Sequence, residues 1–294
     1  MRLVSFHRGD HSLGTGLALP GRKILDLQAM DPGFPREMNA LLGNTALLER
    51  AMRLHEQPPA GSSVILERES YALAPPVPNP SKFLLCGRNY KDHAAEMNSE
   101  FPQRPAIFGR FACTLIGAGQ PIRISKSDSW VDWEGELVAV IGRKGKYIAR
   151  AEAMDYVVGL TCFNDVSMRD YQKKLPHVTL GKNFDTSGPL GPWIATLDEI
   201  PDAANLTLRT FVNGVLMQEG NTSDLIFDIP YLIELISSAM TLLPGDLIST
   251  GTPAGVGHAR NPPVYLKHGD MVTVAIDRIG ELSNPVLHEE PRTH

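Results

Sequence analysis

Cysteine is scarce: Cys86, Cys113 and Cys162 are the only three, an odd number, widely spaced and each beside apolar or aromatic neighbours. They read as buried free thiols of a reducing cytosol rather than as a disulfide framework, which makes the cytoplasm the expected location. Long apolar runs are missing too. No segment approaches the ~20 residues of a membrane span, and the opening MRLVSFHRGDHSLG carries Arg2, Arg8 and Asp10 in place of a signal segment. Charge of one sign does not dominate: 28 Lys+Arg against 33 Asp+Glu leave a formal net charge of −5, with no long single-sign run. Nucleic-acid grooves and basic membrane faces are therefore unexpected. Neither a P-loop, a GxGxxG turn, an HExxH helix, a GxSxG elbow nor a CxxC pair occurs, so nucleotide and thiol chemistry lose support. The glycine-rich GTPAGVG at 251–257 lacks the lysine that would answer a phosphate chain, and alone it is a loop.

What remains is 294 residues, about two domains' worth on a prior of roughly 150 each, with 43% apolar content. LVSF, LGTGLAL and KILDL are short strand-like runs, followed over 36–55 by a helical recurrence of Met38, Leu41, Leu42, Leu48 and Met52. Residues 74–80 hold four prolines in seven and form the expected boundary between a small β-rich lobe, 1–74, and a larger part, 75–294. Downstream, KFLLC, PIRI, ELVAVIG, VVGLTCF, LTLRTFV and MVTVAI have strand lengths and strand patterns, and Asn213-Gly214 predicts a type I′ hairpin. Helical periodicity is confined to AEAMDYV and IPYLIELISSAM, with no regular βαβ alternation or repeat. The expected fold is mainly β with short helices, an α+β architecture of mixed, mostly antiparallel sheets.

Asp132-Trp133-Glu134-Gly135-Glu136 runs into the apolar LVAVIG, and a strand period of two sends Glu134 and Glu136 to one face. A bare ExE reads as a solvated strand end. A third carboxylate, Asp165 at the end of VVGLTCFN, shifts that reading, because side-by-side carboxylates repel unless a cation sits between them. Three oxygen ligands without Cys or His suit Mg²⁺, with Mn²⁺ or Ca²⁺ as alternatives.

Gly87-Arg88-Asn89-Tyr90 with His93 and Glu96, then DWEGELVAVIG, FNDVSMRD at 163–170, LGKNF at 180–184 and PGDLISTGTPAGVG together resemble the fumarylacetoacetate hydrolase family, over about residues 82–286. The resemblance implies a mixed β-sandwich roll, usually dimeric, with an accessory N-terminal segment. It implies that Glu134, Glu136 and Asp165 hold the divalent metal. It also implies a catalytic His93–Glu96 dyad, although spacing alone favours an exposed helical pair. The family places that dyad on a mobile lid, here 91–105. Lys182, by itself a surface charge, would steady an oxyanion or enolate. Arg169 and Gln172 would face the substrate, against an equally weighted reading as a structural salt bridge and a surface amide. Thr252 would bind a substrate carboxylate, with Arg88 and Tyr90 completing the substrate site. One departure stands out: Phe108-Gly109-Arg110 replaces the Phe-x-Lys of many members, which bears on substrate orientation.

The activity expected from this resemblance is metal-dependent hydrolysis of the C–C bond of a 2,4-diketo acid, an acylpyruvate such as fumarylpyruvate, as in aromatic catabolism. Oxaloacetate decarboxylation, or hydration or isomerisation of a 2-keto acid, would use the same metal–enolate chemistry. A reading of another class is a catalytically silent ligand-binding protein. The expected partner is a small keto acid, with a second copy of the chain as homodimer and neither nucleic acid nor membrane.

Overall fold

A computed structural model describes residues 1–59, 63–96, 101–125 and 130–289. Its strands assemble into two large sheets and a two-stranded ribbon, Val131–Asp132 with Ser167–Met168. The larger takes, in spatial order, Ile65–Leu66, Lys23–Asp26, Leu13–Leu19, Arg2–Arg8, Gly188–Thr196, Val157–Asn164, Gly135–Ile141, Leu247–Ser249, Phe83–Gly87 and Ala106–Gly109. Most pairings are antiparallel, but Leu247–Ser249 runs parallel to Phe83–Gly87, which makes the sheet mixed. The smaller sheet orders Val215–Asn221, Thr207–Val212, Met271–Ile276, Gly280–His288 and Ile122–Ile124. The architecture is mainly β with short helices, as expected, and among the described residues no helix is long and apolar enough to cross a membrane.

Gly135–Ile141 is the central element, buried along its whole length. Its period of two divides two cores. Leu137, Ala139 and Ile141 pack with Leu208, Val274 and Leu282 of the smaller sheet, whereas Val138 and Val140 pack with Leu3, Leu17, Met38 and Leu41 from the chain's beginning. A strand apolar on both faces must be covered twice, and the N-terminal residues supply one of the covers. They also extend the sheet itself, since Arg2 and Leu3 pair with Ala195 and Ile194. The Met1 ammonium donates to Thr196 Oγ1 at 2.6 Å. The proline-rich segment is pinned in place, with Ser5 Oγ donating to Pro76 O at 2.7 Å and Val77 buried.

Local expectations are met in detail at the hairpin, where Asn213 and Gly214 have φ of 53° and 78°, the left-handed pair a type I′ turn demands. The helical pattern over 36–55 is broken instead into Met38–Leu42 and Thr45–Glu56. Gly43 ends the first, and the Asn44 side chain caps the second by accepting from Leu47 N at 3.2 Å. AEAMDYV forms 3₁₀ turns, Arg150–Tyr156, while IPYLIELISSAM is the helix Ile229–Ala239 capped by Asp228. All three cysteines are free, but only Cys86 and Cys162 are buried. Cys113 is exposed, against the expectation of a buried thiol, because it lies in the 3₁₀ turn Ala112–Thr114 and the residue that turn buries is Thr114.

Candidate active site

The site grows from two chain segments that clamp each other. Glu134 N donates to Asn164 Oδ1 at 3.0 Å, and Asp165 N donates to Glu134 O at 2.8 Å, so the residues just outside two neighbouring strands are fixed together. Gly135 lets the smaller sheet pack closely against the same segment: a Cβ there would lie 2.1 Å from Thr210 Oγ1. Oxygen atoms of Glu134, Glu136 and Asp165 come within 4.8 Å of one another, and all three residues are buried. Glu136 lies in the strand and Glu134 one residue before it.

Positive groups surround the trio unevenly. Lys182, itself buried, places Nζ 2.7 Å from Glu134 Oε2 and also pairs with Asp165 Oδ2. Arg110, with no exposed side-chain surface, pairs with the other Asp165 oxygen and donates to Val166 O at 3.1 Å and Ser187 Oγ at 2.9 Å. Arg169 bridges Asp132 at 2.8 Å and Glu134 at 2.7 Å. Glu136 has only a hydroxyl, Ser249 Oγ, and no ion pair among the described residues. The consequence is a split in acidity. Burial opposes ionisation of Glu134, but Lys182 and Arg169 outweigh it and hold its carboxyl at about 2. Burial, followed by the charges of Asp165 and Glu134, pushes Glu136 well above the usual carboxylate range. Four buried carboxylates, Asp132 included, face three cations. An all-oxygen donor set with one uncompensated charge fits a hard divalent cation.

A cavity of about 320 Å³ opens onto the trio and is lined also by Arg88, His93, Arg169, Gln172, Lys182 and Thr252. His93 is buried on the helix Lys91–Glu96, with Nδ1 3.2 Å from Glu96 Oε2. Burial works against ionisation of Glu96, yet the hydrogen bonds from His93 and from Gly255 N, the latter at 2.9 Å, bring its pKa below the ordinary value. Glu96 thus orients His93 and ties the helix to the glycine-rich loop, where Asp92 accepts a second bond from Ala254 N at 3.3 Å. Of the lid expected over 91–105, residues 97–100 lie outside the described residues.

The other expected residues divide. Arg169 both lines the cavity and makes the structural salt bridges, and Gln172 Oε1 accepts from its Nη1 at 3.1 Å. Thr252 lines the cavity, but its hydroxyl donates to Gly135 O and accepts from Gln218 Nε2, each at 2.8 Å, so its proton is already committed. Tyr90 is not brought to the cavity: its ring is fully buried behind the wall, and burial together with the Glu136 charge raises the pKa of its hydroxyl. Arg110 stands behind Asp165 rather than facing the cavity.

Three residues that shape the site are given no role by the sequence. Asp132 accepts from Arg169, Gly257 N at 2.7 Å and His258 N at 2.9 Å, joining the guanidinium to the glycine loop. Asn89 fixes the turn below Arg88, donating to Phe227 O and Thr250 O and accepting from Phe227 N, all at 2.8 Å. His258 lines the cavity opposite no motif. Asp132 was within reach, since it opens the DWEGE motif. Asn89 and His258 meet their partners through contacts more than 100 residues away in sequence.

A mixed-sheet enzyme fold with an acidic trio, a His/Glu dyad and a buried lysine around one cavity defines the class. The description of the fumarylacetoacetate (FAA) hydrolase C-terminal family matches residues 82–287, and the chain belongs to that family. It is 45% identical over 291 residues to a mitochondrial oxaloacetate tautomerase of Xenopus laevis, covering 98% of this chain and 90% of that protein. It is 44% identical over 215 residues to the oxaloacetate tautomerase YisK of Bacillus subtilis, covering 72% of this chain and 71% of the other. Among solved structures, maleylpyruvate hydrolase of Sphingobium sp. SYK-6, in complex with manganese(II) and pyruvate, superposes with a TM-score of 0.81 at 31% identity, covering 99% of this chain and 100% of that one.

Proposed function

We propose that this protein interconverts the keto and enol forms of oxaloacetate, one of the 2-keto acid isomerisations weighed from the sequence, in place of the C–C hydrolysis given priority there. The observation that carries it is the convergence of the buried trio and the His93–Glu96 pair on one cavity, together with the likeness to oxaloacetate tautomerases over nearly the whole chain. The keto-acid end of the substrate faces Glu134, Glu136 and Asp165. A divalent cation held there, Mg²⁺ in this reading with Mn²⁺ as the alternative the Sphingobium structure favours, supplies a Lewis acid for the C2 oxygen. His93 carries the proton between C3 and the C2 oxygen, so that a C–H bond is exchanged for an O–H bond in one direction and regained in the other, and Glu96 keeps the imidazole aimed and basic. Lys182 and Arg169 hold positive charge where the enolate oxygen becomes negative. Residues 75–294 carry this chemistry in a cytoplasmic homodimer, and 1–74 act as the accessory part that covers the central strand.

The test adds enol oxaloacetate to the purified protein and follows loss of its ultraviolet absorbance with Mg²⁺, with Mn²⁺ and after EDTA. Acceleration that depends on the cation supports the reading, and rates equal to buffer alone overturn it. The intact dyad also favours a second reading, hydrolysis of an acylpyruvate, because water attack requires such a base. Pyruvate release from fumarylpyruvate separates the two.

A further inference from the structure

Outside the trio and the dyad, the cavity wall carries a cluster that the chemistry above does not use. His258 Nδ1 lies 2.7 Å from Tyr265 Oη. Trp130 stacks on Tyr265 with centroids 5.9 Å apart and planes 5° apart, and sits 6.0 Å from the His258 ring. Lys173 Nζ rests 5.1 Å from the Trp130 centroid, a cation–π contact. His258 and Lys173 line the same cavity as the trio. The trio is buried, His258 is half-buried and Lys173 is exposed, so the cluster occupies the mouth of the cavity and the carboxylates its floor.

We propose that His258, oriented by Tyr265 and flanked by Lys173, binds the distal carboxylate of the substrate and so selects 2-keto dicarboxylates over 2-keto monocarboxylates. The inference rests on the reading that the keto-acid end of the substrate lies at the trio. An acid bound that way points its far end toward the mouth. Burial, then the charges of Lys173 and Arg169, lower the pKa of His258 and favour the neutral ring. Burial and Asp132 raise the pKa of Tyr265, which keeps its proton and donates it to Nδ1. The ring proton then sits on Nε2, a donor with no role inside the cluster. The backbone N–H of His258 is held by Asp132, the carboxylate that also holds Arg169, and its ring is held by Tyr265. A neutral donor beside an ammonium is the pairing a carboxylate requires, and a methyl group gains nothing from it.

Oxaloacetate and 2-oxobutanoate differ only by a carboxylate in place of a methyl group, and tautomerisation leaves each acid intact. Calorimetry on Mn²⁺-loaded protein therefore gives Kd for both, while exchange of the C3 protons for deuterium, read by NMR, gives turnover. Wild-type protein is expected to bind oxaloacetate more tightly. In His258→Val that preference falls by about 10- to 100-fold, the range for one hydrogen bond to a charged group, with Kd for 2-oxobutanoate unchanged. Tyr265→Phe and Lys173→Gln shift the ratio in the same direction, and His258→Gln, which keeps a donor, restores part of it. A purely structural role would weaken both acids together, leave the ratio fixed and overturn the inference. Binding without proton exchange in wild type removes the tautomerase reading and leaves the selectivity test standing, whereas failure of both acids to bind removes both.

Discussion

At the scale of single residues, the site is a problem in charge. Glu136 has a hydroxyl and no cation for company, while Glu134 and Asp165 have two cations each. Glu136→Gln removes a ligand charge at nearly constant volume. We expect divalent-cation affinity, measured by calorimetry, to fall by more than the ~10- to 100-fold typical when an outer partner of a ligand is lost, with the circular dichroism spectrum retained. Unchanged affinity would remove Glu136 from the metal set. Arg110 gives a finer test. Its fork spans Asp165, Val166 and Ser187 at once, and a lysine is a point charge that cannot. Arg110→Lys should weaken the cation about 10-fold while leaving the ratio of KM values between keto acids alone, because Arg110 backs the ligand and does not face substrate. A changed ratio would mean that it does. The trio was legible in sequence because carboxylates that share a strand face and end a neighbouring apolar run have few other uses. Arg110 was legible as a departure but not in its direction, since nothing local tells which side of Asp165 a guanidinium 55 residues away will occupy.

At the scale of elements, strand identity came through because burial on one or both faces writes itself into the sequence as alternation or continuous apolarity. The break at Gly43-Asn44 and the exposure of Cys113 did not, because a cap or a short turn overrides periodicity with one residue. The helix Lys91–Glu96 shows the same limit: spacing places His93 and Glu96 on one face, but only the tertiary structure shows Glu96 bonded at once to His93 and to Gly255 N. Those two hydrogen bonds lead to a prediction. Glu96→Gln retains a hydrogen-bonding oxygen but loses the charge that supports the imidazole, so turnover should fall about 100-fold, within the usual range for losing general-base support, with cation affinity within twofold of wild type. Hydrogen exchange of 91–96 should rise in the same variant as the helix loosens from the loop. Turnover equal to wild type would detach Glu96 from the chemistry.

At the scale of the whole molecule, one sheet carries both the N-terminal strands and the site, so anything that stabilises the trio is felt in global unfolding. Two carboxylates pull in opposite directions. Glu134, lowered from 4.5 to about 2, contributes stability that is complete above its unfolded value and disappears as pH falls toward about 2. Glu136, raised above 4.5, keeps in the folded state a proton that the unfolded chain releases. Its contribution is therefore fully present below 4.5 and is lost as pH rises from there through the folded value, so cation-free protein should lose stability on the alkaline side of that window. A divalent cation takes the place of that proton, and protons compete with it. The rise in Tm on adding Mg²⁺ or Mn²⁺ should accordingly be small at pH 5 and several degrees larger at pH 8, following RT ln(1 + [L]/Kd) as Kd tightens. In Glu136→Gln the competing proton is gone, and the remaining shift in Tm should lose most of its dependence on pH. Equal cation-induced shifts at both pH values in wild-type protein would show that Glu136 does not give up a proton to the metal.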